Sequence, residues 1–378
     1  MRRLPLIVRS ALSLLFAAHL AHARLALAHE NAVSGERLAF ADLPGWAEDD
    51  HSAALLAFRK TCRMGQTASM CRAASRVARD KPEAARRFFE RWFEPFEVSP
   101  TGFLTGYYEP ELPGSLASDA AYPTPLLARP SGLVLRPAGP LPSGWPEGLA
   151  AARRMGSGYE AYPDRAAIEE GALGAEARPI VFLADPVDAF TIHVQGSARI
   201  RLAGGRVIRV GFDGRNGHPY TSVGRVLADA EGVARSEMTA DRLFSWLKAH
   251  PERAPAIMRA NRSYIFFRRI EAAPDEGPIG GAGVPLTAGR SLAVDRTVWR
   301  YGTLVWLDGE LPRPGGGAEP LRRLVVAQDT GTAIVGEARG DLFFGSGPET
   351  GSRASLVRHP VRWVGLRPKG RAALGLAR

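Results

Sequence analysis

The period of apolar positions changes along this chain. Residues 51–79 carry Leu55, Phe58 and Cys62, then Ala74, Val77 and Ala78, at spacings of three and four, and Ala85, Phe88, Phe89, Trp92 and Phe93 repeat the pattern after Pro82. Apolar positions one turn apart make amphipathic helices. Two or three are therefore predicted, with Pro82 in a first turn, Asp80 near its cap, and Pro95 and Pro100 ending the set. Residues 102–110, GFLTGYYEP, read as a strand broken by glycine, in which Tyr107 and Tyr108 point to opposite faces. Either could offer a sugar-stacking ring, or the pair could be a half-buried sheet edge. Residues 113–146 show neither period and are read as loops and edge strands crossing into a second domain.

Asp164 then caps a short helix, and the pattern becomes β at residues 180–183, 190–195, 199–202 and 206–210. The last two join as a hairpin through Ala203-Gly204-Gly205. Gln195-Gly196-Ser197 interrupts the β run, as a bulge or as a place where backbone and amide groups approach a polar ligand. Thr239 caps a helix reaching Ala249, Pro251 opens another, and residues 263–268 form a strand. The Gly/Pro-rich residues 274–287 mark a return crossing. From Ser291 onward, apolar runs at 292–294, 304–306, 324–327, 342–344 and 361–364 alternate with turn residues, which predicts a small barrel. The expected fold is mainly β with N-terminal helices.

Composition adds three points. Arg2, Arg3 and Arg9 precede an apolar run at 11–18, followed by small-x-small sites ending at Ala23 and Ala28; residues 1–28 thus have the layout of a cleavable secretory signal. The run is shorter than the ~20 residues that span a bilayer, and no cysteine stands nearby to carry lipid. Export to the periplasm is expected, with no evident lipid anchor and with outer-membrane association left open. The only cysteines, Cys62 and Cys71, are then expected to form a disulfide. No metal-ligand spacing occurs, so no metal is expected. The net charge of +10 is carried almost wholly by arginine, scattered rather than striped with aromatics, which argues against nucleic acid; envelope polymers are the more relevant polyanions for an exported protein, and an Arg-rich genome composition explains the charge equally well.

Carboxylates supply the available chemistry. There is no Gly-x-Ser-x-Gly elbow and no phosphate-binding glycine loop, whereas Asp295, Asp329 and Asp341 each stand at the edge of an apolar run in a Gly- and Val-rich region. Asp329-Thr330-Gly331 matches the aspartic protease tripeptide, but those enzymes need two such aspartates sharing a proton and the chain holds one copy. Asp329 and Asp341 together at a barrel mouth would let like charge raise one pKa, keeping that carboxyl protonated beside an ionised one, as acetal cleavage requires. A structural role bonding turn amides is the alternative for either residue.

The ordered set LTGYYEP, IHVQGSARIRL, NRSYIFFR, the Gly-rich stretch to VPLT, SLAVDRTVWRYGT, VVAQDTGTAI and GDLFFGSGPETGSRA resembles the membrane-bound lytic murein transglycosylase A family, from about residue 55 to the C-terminus. The resemblance implies a double-psi β-barrel catalytic domain (29–112 plus 272–378) with a second β domain inserted (113–271) and a substrate groove between them. It implies Asp341 as the single catalytic acid, Asp329 as its tuning neighbour and Asp295 as support, with Thr105, Tyr107, Gln195, Gly196, Gly345 and Gly347 lining the groove. The implied reaction is lytic cleavage of the β-1,4 bond between N-acetylmuramic acid and N-acetylglucosamine in peptidoglycan glycan strands, giving 1,6-anhydro ends without a cofactor. A monomer suffices for this. The competing readings are a hydrolytic wall glycosidase on the same barrel, with Asp295 or Asp329 activating water, and a non-catalytic peptidoglycan-binding protein. Family members that give the group its name carry a lipoprotein cysteine that this chain lacks.

Overall fold

The structure, a computed structural model, describes residues 33, 35–137, 139–271 and 276–370. The expected signal at 1–28 lies outside them. Three helices come first: α1 (His51–Gly65), α2 (Ala68–Arg76) and α3 (Pro82–Trp92). Asp50 and Thr67 cap the first two through their side chains. Lys81, not Asp80, holds the cap position of α3 and makes no side-chain cap bond, while Pro82 sits in the first turn. A disulfide joins Cys62 of α1 to Cys71 of α2.

The chain passes directly from α3 into β1 (Phe93–Glu109), so Pro95 and Pro100 lie inside a strand instead of ending the helices. Among the named strands, residues 93–102 of β1 ladder only with β15, and the other side carries a single bridge, from Arg37 to Phe96. A proline there costs no ladder bond on the open side, and register shifts flank Ser99. After β1 come β2 (Glu111–Pro113), β3 (Thr124–Leu127), β4 (Leu133–Leu135), β5 (Ala151–Met155), β6 (Gly158–Glu160), α4 (Arg165–Glu169), β7 (Pro179–Leu183), α5 (Pro186–Gln195), β8 (Ser197–Arg201), β9 (Val207–Arg215), α6 (Val223–Glu231), α7 (Ala240–Ala249), α8 (Ala254–Arg259) and β10 (Ile265–Ile270). The return segment leads to β11 (Ser291–Val294), β12 (Leu304–Pro312), β13 (Ala318–Asp329), β14 (Arg339–Ser346), α9 (Pro348–Ser355) and β15 (Arg358–Pro368).

Six strands close a barrel in the order β1-β14-β11-β13-β12-β15, the double-psi class expected. Its pairs β1/β14 and β11/β13 are parallel and the others antiparallel. Pleat alternation sorts the apolar residues into two cores. Val305 and Leu307, Val325 and Ala327, Leu104, Leu292 and Leu342 fill the interior. Leu304, Trp306, Leu324 and Val326 face outward and pack under α1 and α3, against Phe58, Phe88 and Phe89. Both faces of β12 and β13 are thus covered, which is why these strands read as unbroken apolar runs.

The outer face of β1 instead meets the second domain, which in the chain sits between the barrel's first strand and the other five. Its main sheet has the order β10-β9-β8-β2, with β8 and β9 forming the predicted hairpin. Residues 190–195 are the one β reading that fails, because they belong to helix α5. Asp185 caps that helix, Pro186 occupies its first turn, and Gly196 ends it at φ 80°. The run Val187, Ala189, Phe190, Thr191, Ile192 and His193 is buried on almost every side, so no polar face remained to reveal the helical period. Helices α6 and α9 were also not anticipated. Pro251 lies in the turn before α8, whose own first turn holds Pro255.

Candidate active site

A row of strand positions in register builds the site. Thr105 of β1 stands opposite Asp341 of β14, Asp341 opposite Ala293 of β11, and Ala293 opposite Asp329 of β13. The neighbours Leu104, Leu292 and Leu342 point into the barrel, so Thr105, Ala293 and Asp341 point out. The row therefore runs across the outer face, toward the second domain, rather than inside the barrel mouth. Asp329 joins it through a β-bulge: the register steps from Leu292 opposite Ala327 to Ala293 opposite Asp329, leaving Gln328 as the extra residue. Without that step Asp329 would share the inward parity of Val325 and Ala327, since a one-residue slip reverses every side chain. Gln328 is held from three sides. Its Nε2 donates to the Ala57 carbonyl at 2.7 Å and to the Thr61 hydroxyl at 3.1 Å, and its Oε1 accepts from Ser291 at 2.6 Å.

The two acids have different surroundings. The Tyr107 hydroxyl donates to Asp329 Oδ2 at 2.7 Å, and the N–H groups of Gly281 and Thr330 donate to Oδ1 at 2.8 and 2.9 Å. Glycine at 281 also leaves room for Tyr301, whose hydroxyl an added Cβ would meet at 2.3 Å. Burial pushes Asp329 above its ordinary value, and the three hydrogen bonds offset only part of that rise. Burial raises Asp341 to about 6, against the lowering influence of Arg339 and of the Thr105 hydroxyl, which meets Asp341 Oδ1 at 2.7 Å. The charge of Asp329 adds the smallest part, so like-charge proximity, the cause expected from sequence, is the minor one. Both carboxyls stay half-buried. Burial and the Asp329 charge push the Tyr107 phenol well above its ordinary value, which keeps it a donor.

Asp295 spends its oxygens locally. Oδ1 accepts from the Thr297 N–H at 2.8 Å and hydroxyl at 2.6 Å, and Oδ2 accepts from the Gly336 N–H at 2.8 Å. Burial would raise its pKa, but these bonds bring it below the ordinary value. It ties the end of β11 to the loop before β14. Gln195, the last residue of α5, accepts the Tyr108 N–H at 3.1 Å through its side chain. Gly345 and Gly347 end β14 with φ of 122° and 95°, and the Gly347 N–H bonds the Glu109 carbonyl at 2.9 Å. Tyr107 and Tyr108 do diverge. Tyr107 faces Asp329, while the Tyr108 ring lies against Gly351 of α9. Among the described residues no cluster of three His, Cys, Asp or Glu side chains is placed to hold a metal.

Residues 103–268 match the MltA specific insert domain and residues 290–367 match the 3D domain. The crystal structure of a membrane-bound lytic murein transglycosylase from Agrobacterium tumefaciens is 35% identical in sequence, with a TM-score of 0.80 over 91% of this chain and 100% of that one. The chain belongs to the MltA family. MltA from Neisseria gonorrhoeae is 29% identical, with a TM-score of 0.70 over 88% of this chain and 91% of that one. Membrane-bound lytic murein transglycosylase A of Escherichia coli (strain K12) is 33% identical over 207 residues, 53% of this chain and 55% of that protein. The chain thus matches about half the length of that curated relative. The MltA insert match takes in Thr105, Tyr107, Gln195 and Gly196, and the 3D match takes in Asp295, Asp329, Asp341, Gly345 and Gly347.

Three residues that the sequence did not single out join these two parts of the MltA fold. Glu109, with no exposed surface, sits 2.7 Å from Arg209 and 3.1 Å from Arg199 of the inserted sheet, and accepts the Ser346 hydroxyl of β14 at 2.6 Å. Its only sequence signal is a lone acid after GYY at a strand end. Arg215 donates to the Thr332 hydroxyl at 2.7 Å, linking β9 to the loop after Asp329. Tyr220 lies close enough to Asp341 for that charge to add to the rise that burial gives its phenol. Arg215 and Tyr220 come from the polar, aromatic turn GRNGHPY, which sequence reading passed over.

Proposed function

We propose that this MltA-family chain is a peptidoglycan lytic transglycosylase, exported to the periplasm, that acts as a monomer on glycan strands in the groove between barrel and insert. The proposed division is a barrel part at 29–112 and 272–378 with an inserted part at 113–271. What carries the reading is the pairing of Asp341, a recessed carboxyl that titrates near 6, with Asp329, which accepts three hydrogen bonds. A group with a pKa near the working pH can both give and take a proton.

Asp341 gives its proton to the glycosidic O4 as the C1–O4 bond breaks with its electrons on that oxygen. The C6 hydroxyl oxygen of the same muramic residue then bonds C1, and its proton goes to the Asp341 carboxylate. The acid is restored and a 1,6-anhydro ring closes. Asp329 lies nearby with three donors on its oxygens, and its ionised form favours the positive charge that develops at C1, while Asp295 holds the loop that frames the row. Thr105, Tyr107, Gln195, Gly196, Gly345 and Gly347 line the groove. The hydrolytic alternative asks Asp295 or Asp329 to take a proton from water. Each already accepts three protein donors, which leaves one of about four acceptor sites for a water. Digestion of purified sacculi followed by mass spectrometry tests the reading. Muropeptides with anhydro ends are expected; reducing ends would replace it with the hydrolase, and binding without release would replace it with a wall-binding protein.

A further inference from the structure

Arg339 stands two residues before Asp341 on β14, half-buried beside the acid row. Its Nη2 donates to Thr105 Oγ1 at 2.9 Å, its Nη1 bonds the Gly340 carbonyl, and its guanidinium lies 5.3 Å from the centre of the Phe103 ring. Three contacts fix it in one place. Thr105 Oγ1 in turn lies 2.7 Å from Asp341 Oδ1. The direction of this chain follows from hydrogen-bonding capacity. A guanidinium only donates, so the Thr105 oxygen accepts from Arg339, and the single hydroxyl hydrogen is left with Asp341 Oδ1 as its acceptor.

We propose that Arg339 and Thr105 are positioning residues that reserve Oδ1 of Asp341 as an acceptor and thereby keep the transferable proton on Oδ2. The inference rests on the reading of Asp341 as the acid. A neutral carboxyl has two equivalent places for its proton, and only one of them faces the leaving oxygen in a given substrate pose. Occupying Oδ1 with a fixed donor removes the unproductive form and blocks rotation of the carboxyl between delivery and return of the proton. The charged and titratable groups around Asp341 are Arg339 on its own strand, Tyr107 from β1, Asp329 from β13 and Tyr220 from the inserted domain, with Arg358 of β15 beside Arg339. Arg339 is the cation nearest in sequence and the one bonded through Thr105.

The pH dependence of kcat and kcat/KM on soluble glycan strands, measured for Thr105→Val, Thr105→Ser, Arg339→Gln and the Thr105→Val/Arg339→Gln pair, tests this. Thr105→Val keeps the β-branched shape and loses the hydroxyl; kcat should fall by about twofold as the proton divides between two oxygens, and further as the freed carboxyl rotates out of line. Its alkaline limb should move up by about one pH unit, as a donor to the ionised form is lost. Arg339→Gln should move the limb the same way, and Thr105→Ser should keep both limb and rate. The pair should lose little more kcat than Thr105→Val alone, because Arg339 orients the proton through that hydroxyl. An unmoved limb in Thr105→Val or Arg339→Gln, a serine variant as poor as valine, or multiplicative losses in the pair would overturn the proposal. Should Arg339→Gln not fold, the Val and Ser variants decide alone. Asp341→Asn measured alongside separates the two ideas. If it still cleaves, the acid assignment falls; if it is inactive while the Thr105 and Arg339 limbs stay put, only the positioning role falls.

Discussion

Asp341→Asn should cost the protein its activity and increase its stability at neutral pH. Burial raises this carboxyl from 3.8 to about 6 in the fold. Because the folded value is the higher one, the group favours the folded state fully below 3.8, and that contribution is lost as the pH rises through about 6. Above that range the fold carries a recessed anion. At about 1.4 kcal/mol per pH unit the difference reaches roughly 3 kcal/mol, and solvent reaching the half-buried group trims it to about 1–2 kcal/mol. Asparagine is neutral throughout, and its Oδ1 still accepts from Thr105, so little else changes. Urea unfolding followed by the fluorescence of Trp306 and Trp363, both fully buried in and around the barrel, reads the effect. The variant should be more stable than the wild type by that amount at about pH 7.5, with the gap closing toward about pH 4. Equal stability at the higher pH, or a gap independent of pH, would refute the burial argument for this acid.

Three further outcomes follow from the same geometry. Wild-type glycan cleavage should decline as pH rises through about 6, where Asp341 loses its proton, and a rate that holds to about pH 8 would remove Asp341 as the acid. Tyr107→Phe takes one of three donors from Asp329, a charged hydrogen bond worth about 1.5–3 kcal/mol; kcat should fall on the order of tenfold and the melting temperature by roughly a few degrees, and an unchanged kcat would detach Asp329 from the chemistry. Glu109→Gln strips Arg209 of its buried counter-charge, at a cost of about 3 kcal/mol. A thermal melt showing no loss would mean that the clamp between barrel and insert contributes nothing.

Much of the fold is legible in the chain because it rests on period. The helices over residues 51–92 show threes and fours since one face of each packs on the barrel and the other meets water. The barrel strands show apolar runs because both faces are covered. Helix α5 reads as a strand for a related reason: burial on nearly all sides erases the polar face that marks a helix. Pro95 and Pro100 do not end the helices because a proline is a stop only where its missing N–H is needed, and half of β1 ladders with β15 alone apart from one bridge to Arg37. Glu109, Arg215 and Tyr220 gave no local signal, since each matters only through a partner in the other domain or across the groove.

Sequence by itself determined the chemistry on offer: aspartates at strand edges, a lone Asp-Thr-Gly, an even pair of cysteines, and a family pattern in order. It left open which acid does what, because that depends on where each side chain points and how dry it is. Thr105 and Asp341 lie 236 positions apart and meet only through parallel pairing of β1 with β14. Asp329 turns outward only because Gln328 bulges from β13. Side-chain direction follows strand register, and a carboxyl's pKa follows the protein packed around it; both arise only once distant strands have closed the barrel.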